Sequence, residues 1–205
     1  SATSQVDLNI NGRGNLRYLS PLSFDERHRL SANIDYRYGS GIQYNGPRWF
    51  GADVFSEAGI SLQANAASGR PYTKEQRPDR FGSSGVGGAI NGARLPWNFS
   101  LDMRIDKSFR IAGKENGKPL FMNVYLRVEN LLDQRNVVGV YAASGSAYDD
   151  GYLVTPNGQS SIQTLVDSGR EDDVDNYLIS YQWGELVPGF FTLPRRVYLG
   201  AVLQF

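Results

Sequence analysis

An all-β fold is expected for this chain of 205 residues, an antiparallel transmembrane β-barrel to which it would supply five or six strands. Three observations predict it. Apolar and polar residues alternate at period two in five separate runs, the spacing of strands and not of helices. The links between runs are by turns short and long. The polar sides of the runs carry charges of both signs inside the span, where a helix would scatter them around its axis.

The first run, 30–38, sets Leu30, Ala32, Ile34, Tyr36 and Tyr38 against Ser31, Asn33, Asp35 and Arg37. The second, expected over 50–67, sets Val54, Ala58, Ile60, Leu62, Ala64 and Ala66 against Asp53, Phe55, Glu57, Ser61, Gln63 and Asn65. In the third, 98–111, Phe99, Leu101, Met103, Ile105, Phe109 and Ile111 share one side, which only Lys107 interrupts. Ser100, Asp102, Arg104, Asp106, Ser108 and Arg110 share the other. The fourth, 120–131, groups Leu120, Met122, Val124, Leu126 and Val128 opposite Asn123, Tyr125, Arg127 and Glu129. The fifth, 195–205, groups Val197, Leu199, Ala201, Leu203 and Phe205. Val6, Leu8 and Ile10 suggest one more short strand near the start.

A tight turn around Asn116-Gly117 joins the third and fourth runs, and a Gly-rich link follows Tyr38. Long loops are expected near 69–96 and 138–194, the second with a short helix around Ile162, Leu165 and Val166. In a meander this puts short turns at one end and long loops at the other, as in outer-membrane barrels. Aromatic residues near strand ends (Tyr36, Tyr38, Trp49, Trp97, Phe99) fit interfacial belts, and Phe205 reads as the closing residue against lipid. A soluble antiparallel sheet with one solvated side accounts for the alternation alone. Five or six strands leave open edges in hydrocarbon, so a piece of a larger barrel is expected.

Composition narrows the chemistry. Lys+Arg and Asp+Glu both total 21, which argues against a nucleic-acid partner. With no cysteine and a single histidine, the chain lacks the usual metal-ligand sets, and neither a metal nor a cofactor is expected. His28, in DERHR, has no local nucleophile and orienting acid beside it, so it reads as a hydrogen-bonding residue where a strand opens, and no enzyme is expected. No apolar run is long enough for a membrane helix, and the opening SATSQVDLN is unlike a signal peptide.

Six strings, in order, resemble one family. They are SPLSFDERHRLSANIDYRYG at 20–39, ASGRPYT at 67–73, ARLPWNFSLDMRIDKSFRI at 93–111, NVYLRVENLLDQRNVVGVY at 123–141, YDDGYL at 148–153 and LPRRVYLGAVLQF at 193–205. They resemble the late strands of TonB-dependent outer-membrane receptors of the Bacteroidetes type, the Oar-like branch with a carboxypeptidase-regulatory-like domain. The resemblance implies the C-terminal part of a 22-stranded barrel in the outer membrane, crossing it many times. It also implies active import of a scarce or large ligand, a plug domain, the TonB–ExbB–ExbD motor as partner, and contact with outer-membrane lipid. A surface lipoprotein partner is compatible with it.

Two groups of residues become candidates. Asp35, Arg37, Glu57, Asp102, Arg104, Asp106, Arg127 and Glu129 would face the lumen, either holding a plug or pairing with one another. Tyr141, Tyr148, Tyr152, Tyr177, Tyr181 and Trp183 would offer rigid ligand contacts in the last long loop. The acidic stretch 169–175 lacks the spacing of a calcium loop and reads as solvated charge. Rival readings are a structural or secretion-linked barrel component without a ligand, and a small closed barrel acting as adhesin or anchor.

Overall fold

The computed structural model describes residues 19–112 and 120–204. Its principal sheet is antiparallel, with β1 (Arg29–Arg37), β2 (Ala58–Ala67), β7 (Asn98–Ala112), β8 (Leu120–Glu129) and β9 (Arg196–Gln204) in that order. Between β2 and β7 lie two small ribbons. One pairs β3 (Pro71–Tyr72) with β6 (Ala93–Arg94), the other β4 (Glu75–Asp79) with β5 (Gly82–Val86). Between β8 and β9 come two helices, α1 (Pro156–Asp167) and α2 (Asp172–Glu185).

The long strands form where alternation is unbroken, because residues two apart must share a side. Register then stacks like on like. Ile34 faces Leu62, Leu62 faces Met103, Met103 faces Val128, and Val128 faces Val197, so one apolar side runs across the sheet. On the other side Arg37, Gly59 and Asp106 share a rung. The Arg37 guanidinium passes over Gly59 and grips Asp106 with Nη2 at 2.9 and 3.0 Å from its two oxygens. A Cβ at position 59 would meet that guanidinium at 2.7 Å, so glycine is what clears the path.

The helices follow from local chemistry. Thr155 caps α1, its Oγ1 accepting from the Gly158 amide at 3.1 Å, and Pro156 sits at the first helical position, where no donor is lost. Gly169, at φ 73°, lets the chain leave α1 in the left-handed region. Asp172, Asp173 and Asp175 then occupy the first turn of α2, where negative charge complements the helix dipole.

Three expectations are overturned here. The fold is not an all-β segment of a transmembrane barrel: the described residues form a mixed α/β chain with two helices and an open sheet, in which β1 and β9 each have one neighbour and do not meet. Alternation specifies strands and sides, but closure depends on edge pairing, which alternation does not encode. The stretch 69–96 is not a plain loop, since it holds the two ribbons, and 138–194 holds α1, which contains the helix expected around Ile162, Leu165 and Val166, and a second helix, α2. The second strand begins at Ala58 and not at 50. Phe50 and Glu57 have φ of 51° and 56°, and Trp49 pairs locally with Ala52, so 50–57 turns instead of extending. The expected strand at Val6–Ile10, the Asn116-Gly117 turn and the closing role of Phe205 lie outside the described residues.

Two side-chain knots lock the sheet ends. Asn136 imitates a strand: its Oδ1 accepts from the Phe99 amide at 2.8 Å and its Nδ2 donates to the Phe99 carbonyl at 2.7 Å. Arg94 donates to the carbonyls of Asp25 and Gly69, both at 3.1 Å, and pairs with the Asp25 carboxylate. There the backbone at Gly69 runs against that of Leu95, so closely that a Cβ would fall 1.6 Å from the Leu95 carbonyl oxygen.

Gly69→Ala should therefore lower stability by at least about 1–3 kcal/mol, because backbone cannot step aside as a side chain can; chemical denaturation measures it. For Asp106, burial opposes ionisation, but hydrogen bonds from Asn123 and Arg37 and the charges of Arg37 and Arg104 outweigh it, so its carboxyl lies below the ordinary range. Its contribution is complete above about pH 4 and fades as pH falls through the lowered value. Asp106→Ala should cost about 1–3 kcal/mol at pH 7, and the gap to wild type should narrow in acid titration of the unfolding midpoint.

Candidate functional site

The site grows from the short string Tyr148–Tyr152. Asp149 and Asp150 each turn the chain onto themselves: Asp149 Oδ1 accepts from the Gly151 amide and Asp150 Oδ1 from the Tyr152 amide, both at 2.7 Å. This geometry drives Asp150 inward, where it has no solvent exposure. Its Oδ2 accepts from the Phe81 amide at 2.7 Å and from the Tyr181 hydroxyl at 2.5 Å. The Asp150 amide donates to Glu185 Oε1 at 3.0 Å, and the Tyr141 hydroxyl donates to the Glu185 carbonyl at 2.9 Å.

One buried carboxylate thus fastens three segments: the β4–β5 turn through Phe81, the 148–152 loop, and α2 through Tyr181. Aromatic rings complete the fastening. Phe81 stacks on Tyr181 at 4.9 Å, Tyr152 and Tyr177 lie about 6 Å from the same ring, and the Arg80 guanidinium sits 5.3 Å from the Phe81 ring. Burial, then the bond to Asp150, pushes the Tyr181 hydroxyl well above its ordinary value. Burial raises Tyr141 too, with the charges of Asp150 and Glu185. Glu185 is also raised, chiefly by burial and then, against a hydrogen bond from the Asp150 amide, by the negative charges of Asp150 and Asp149.

Asp149, Asp150 and Glu185 offer oxygen atoms within 4.8 Å of one another. Hard cations favour such ligands, but both Asp150 oxygens and Glu185 Oε1 already accept protein hydrogen bonds. The arrangement is a latch between segments.

Outside the latch lies a cleft of about 690 Å³, lined by Tyr148, Asp149, Leu153, Val154, Gln182, Trp183, Glu185 and Leu186. The loop aromatics therefore divide. Tyr141 and Tyr181 are buried in the latch, whereas Tyr148 and Trp183 are 60% and 71% exposed on the cleft. Sequence reasoning missed Phe81 and Glu185, and nothing in the string marks them: Phe81 lies 69 residues from Asp150, on a turn whose approach is purely tertiary.

Of the charged candidates, all but Glu57, which lies in the turn before β2, sit on strands at the polar side of the sheet. Arg37 binds Asp106, and Arg104 lies 3.9 Å from the same carboxylate. Arg127 and Arg196 both reach Glu129, at 2.9 and 2.6 Å. Asp102 Oδ1 accepts from the Asn130 amide at 2.8 Å. Asp35 faces Ser61 across the β1–β2 pair, and Glu57 offers its carbonyl to the Ser108 amide at 3.2 Å. The His28 backbone exchanges hydrogen bonds with Ser68, and its ring lies parallel to Trp97 at 6.0 Å.

Compared with protein-family models, curated proteins and solved structures, the chain matches none. The receptor resemblance is corrected on that result and on the fold. Mixed α/β architecture with an open sheet is not a 22-stranded barrel, and no lumen exists among the described residues for the charged side chains to face. Ligand import, the TonB–ExbB–ExbD motor, a plug, lipid contact, a lipoprotein partner and a multi-pass outer-membrane location all rested on that barrel and fall with it. So do the rival barrel-component and adhesin readings. Among the described residues no helix is long and apolar enough to cross a membrane.

Asp150→Ala should cost about 3 kcal/mol or more, because it strands two amides and a hydroxyl away from water. Glu185→Gln keeps an oxygen for the Asp150 amide and removes the charge. Because the folded Glu185 holds its proton more tightly than the unfolded chain, wild type loses stability as pH rises above about 4.3 through the raised value. The Gln variant should therefore melt above wild type at pH 7 and alongside it at pH 4, as read by circular dichroism.

Proposed function

We propose that this chain is a non-catalytic association module, whose open sheet is completed by an edge strand of a second copy of the chain. One observation carries the reading: the apolar side of the sheet runs across all five strands and, although Val128 within it is buried, lies exposed at both edges. Leu30 and Ile34 at one edge are 67% and 65% exposed, and Leu199 and Leu203 at the other are 78% and 58% exposed. Contiguous apolar area of this kind marks an association surface. A further apolar pocket of about 230 Å³, lined by Tyr36, Tyr38, Phe55, Ile60 and Ile105 among others, deepens the same side.

The edges support strands as the partner's form. Neither β1 nor β9 contains proline, and the register of each with its neighbour is unbroken over nine pairs, so no bulge twists the edge away. An added strand with matching alternation would satisfy the outward backbone groups and cover the edge leucines together. A non-catalytic role is supported by His28, whose ring is engaged with Trp97, and by Asp150, whose oxygens are engaged in the latch.

Sedimentation of the purified chain tests this. Wild type should associate with rising concentration, and Leu199→Lys with Leu203→Lys should return it to monomer without changing its circular dichroism. A wild-type chain that stays monomeric and binds no hydrophobic dye would sink the reading.

A further inference from the structure

The cleft beside the latch is separate from the apolar sheet side, and its lining is of a different kind. Two exposed aromatic residues, Tyr148 and Trp183, border it with the aliphatic side chains of Leu153, Val154 and Leu186. Its charged lining residues are Asp149 and Glu185, and among the described residues no basic side chain lines it. The segment that builds it is acidic, while from outside that segment Arg80 stands over the Phe81 and Tyr181 rings and Arg135 borders a neighbouring cavity with Tyr148 and Leu186. Over 139–194 the acidic residues are Asp149, Asp150, Asp167, Glu171, Asp172, Asp173, Asp175 and Glu185, against Arg170 as the one basic residue. Arg170 is engaged by Asp173 at 2.7 Å.

Such a cleft suits an occupant that is cationic at its tip and apolar around it. Aromatic faces attract a guanidinium or ammonium through the ring quadrupole. Asp149 is exposed and in position to pair with it, while the aliphatic rim accepts the stem and its neighbours. An anionic ligand would meet repulsion from the whole helical segment, and a wholly apolar one would desolvate Asp149 without compensation.

We propose that this cleft receives an arginine or lysine side chain presented by an extended apolar segment of a protein partner. The latch holds the cleft in shape, since Asp150 and Tyr181 fix the loop carrying Tyr148 to the helix carrying Trp183. This site is independent of the sheet edges, so failure here leaves the association reading untouched.

The test uses the full chain and three short blocked peptides, Leu-Arg-Leu, Leu-Lys-Leu and Leu-citrulline-Leu, titrated while the tryptophan indole NH signals are followed by NMR. The Trp183 signal is assigned by its loss in Trp183→Phe. The two cationic peptides should shift that signal saturably, and the citrulline peptide, of nearly the same shape without the charge, should bind at least about tenfold more weakly. Asp149→Asn should weaken the arginine peptide by about threefold to tenfold, and added salt should do likewise. Both altered side chains are exposed, so the folded state is retained and is checked from the remaining indole signals. Equal binding of the citrulline peptide, no movement of the Trp183 signal with any peptide, or full affinity in Asp149→Asn would each overturn the proposal.

Discussion

Pairing of β7 on both of its sides is the constraint on which the sheet depends. Its residues 98–107 pair with β2 and 103–112 with β8, so the middle of the strand is held from two directions. Because side chains alternate strictly, a shift of one residue would turn Met103 and Ile105 to the polar side and Arg104 and Asp106 to the apolar one. The Arg37–Gly59–Asp106 rung forbids that shift. It sets a base, a glycine gap and an acid at one level of three successive strands, and the Arg37–Asp106 grip spans that gap.

A second organising centre has the opposite character. Apolar burial is slight among the described residues, and its largest fully buried side chains are Tyr181 and Asp150. The helical segment is therefore held by a polar group whose bonds must all be made at once. Such centres give position more than stability, since an unsatisfied member is heavily penalised and a satisfied one gains little. That distinction suits a segment whose task is to hold Tyr148 and Trp183 on either side of a cleft.

How much of this was legible in the string differs by element. The long strands were, because each keeps its alternation for nine or more residues and the two sides differ in chemistry. The extent of β2 was not, because the alternation of Val54 and Asp53 continues through residues that in fact turn at Glu57. The full length of the helices was hidden for a different reason. Apart from Tyr181, Glu185 and Gly158 their side chains are exposed or half-buried, so no apolar stripe announces them, and their boundaries rest on Thr155, Pro156 and Gly169. The barrel was an inference from alternation, link lengths, aromatic placement and a resemblance, and none of these fixes what the sheet edges do. At the site, the aromatic residues were visible as a group. Their sorting into buried Tyr181 and exposed Trp183, two residues apart on one helix, depends on Phe81 arriving from elsewhere.

The strand order in space is also the order along the chain, and this has a consequence for how the molecule assembles. Each strand of the principal sheet docks on the previous strand of that sheet, so the sheet can grow without rearranging what exists. The links differ widely: 113–119 joins β7 to β8, whereas 130–195 separates β8 from β9. Closing a longer loop costs more entropy, about 0.6 kcal/mol for each doubling, and stiff inserts add their own ordering. The β7–β8 hairpin is accordingly the natural nucleus, and β9 the last arrival. Helices α1 and α2 take up part of the chain between β8 and β9. The same carboxylate that positions the cleft, Asp150, thereby also fastens the segment that carries the chain from β8 to β9.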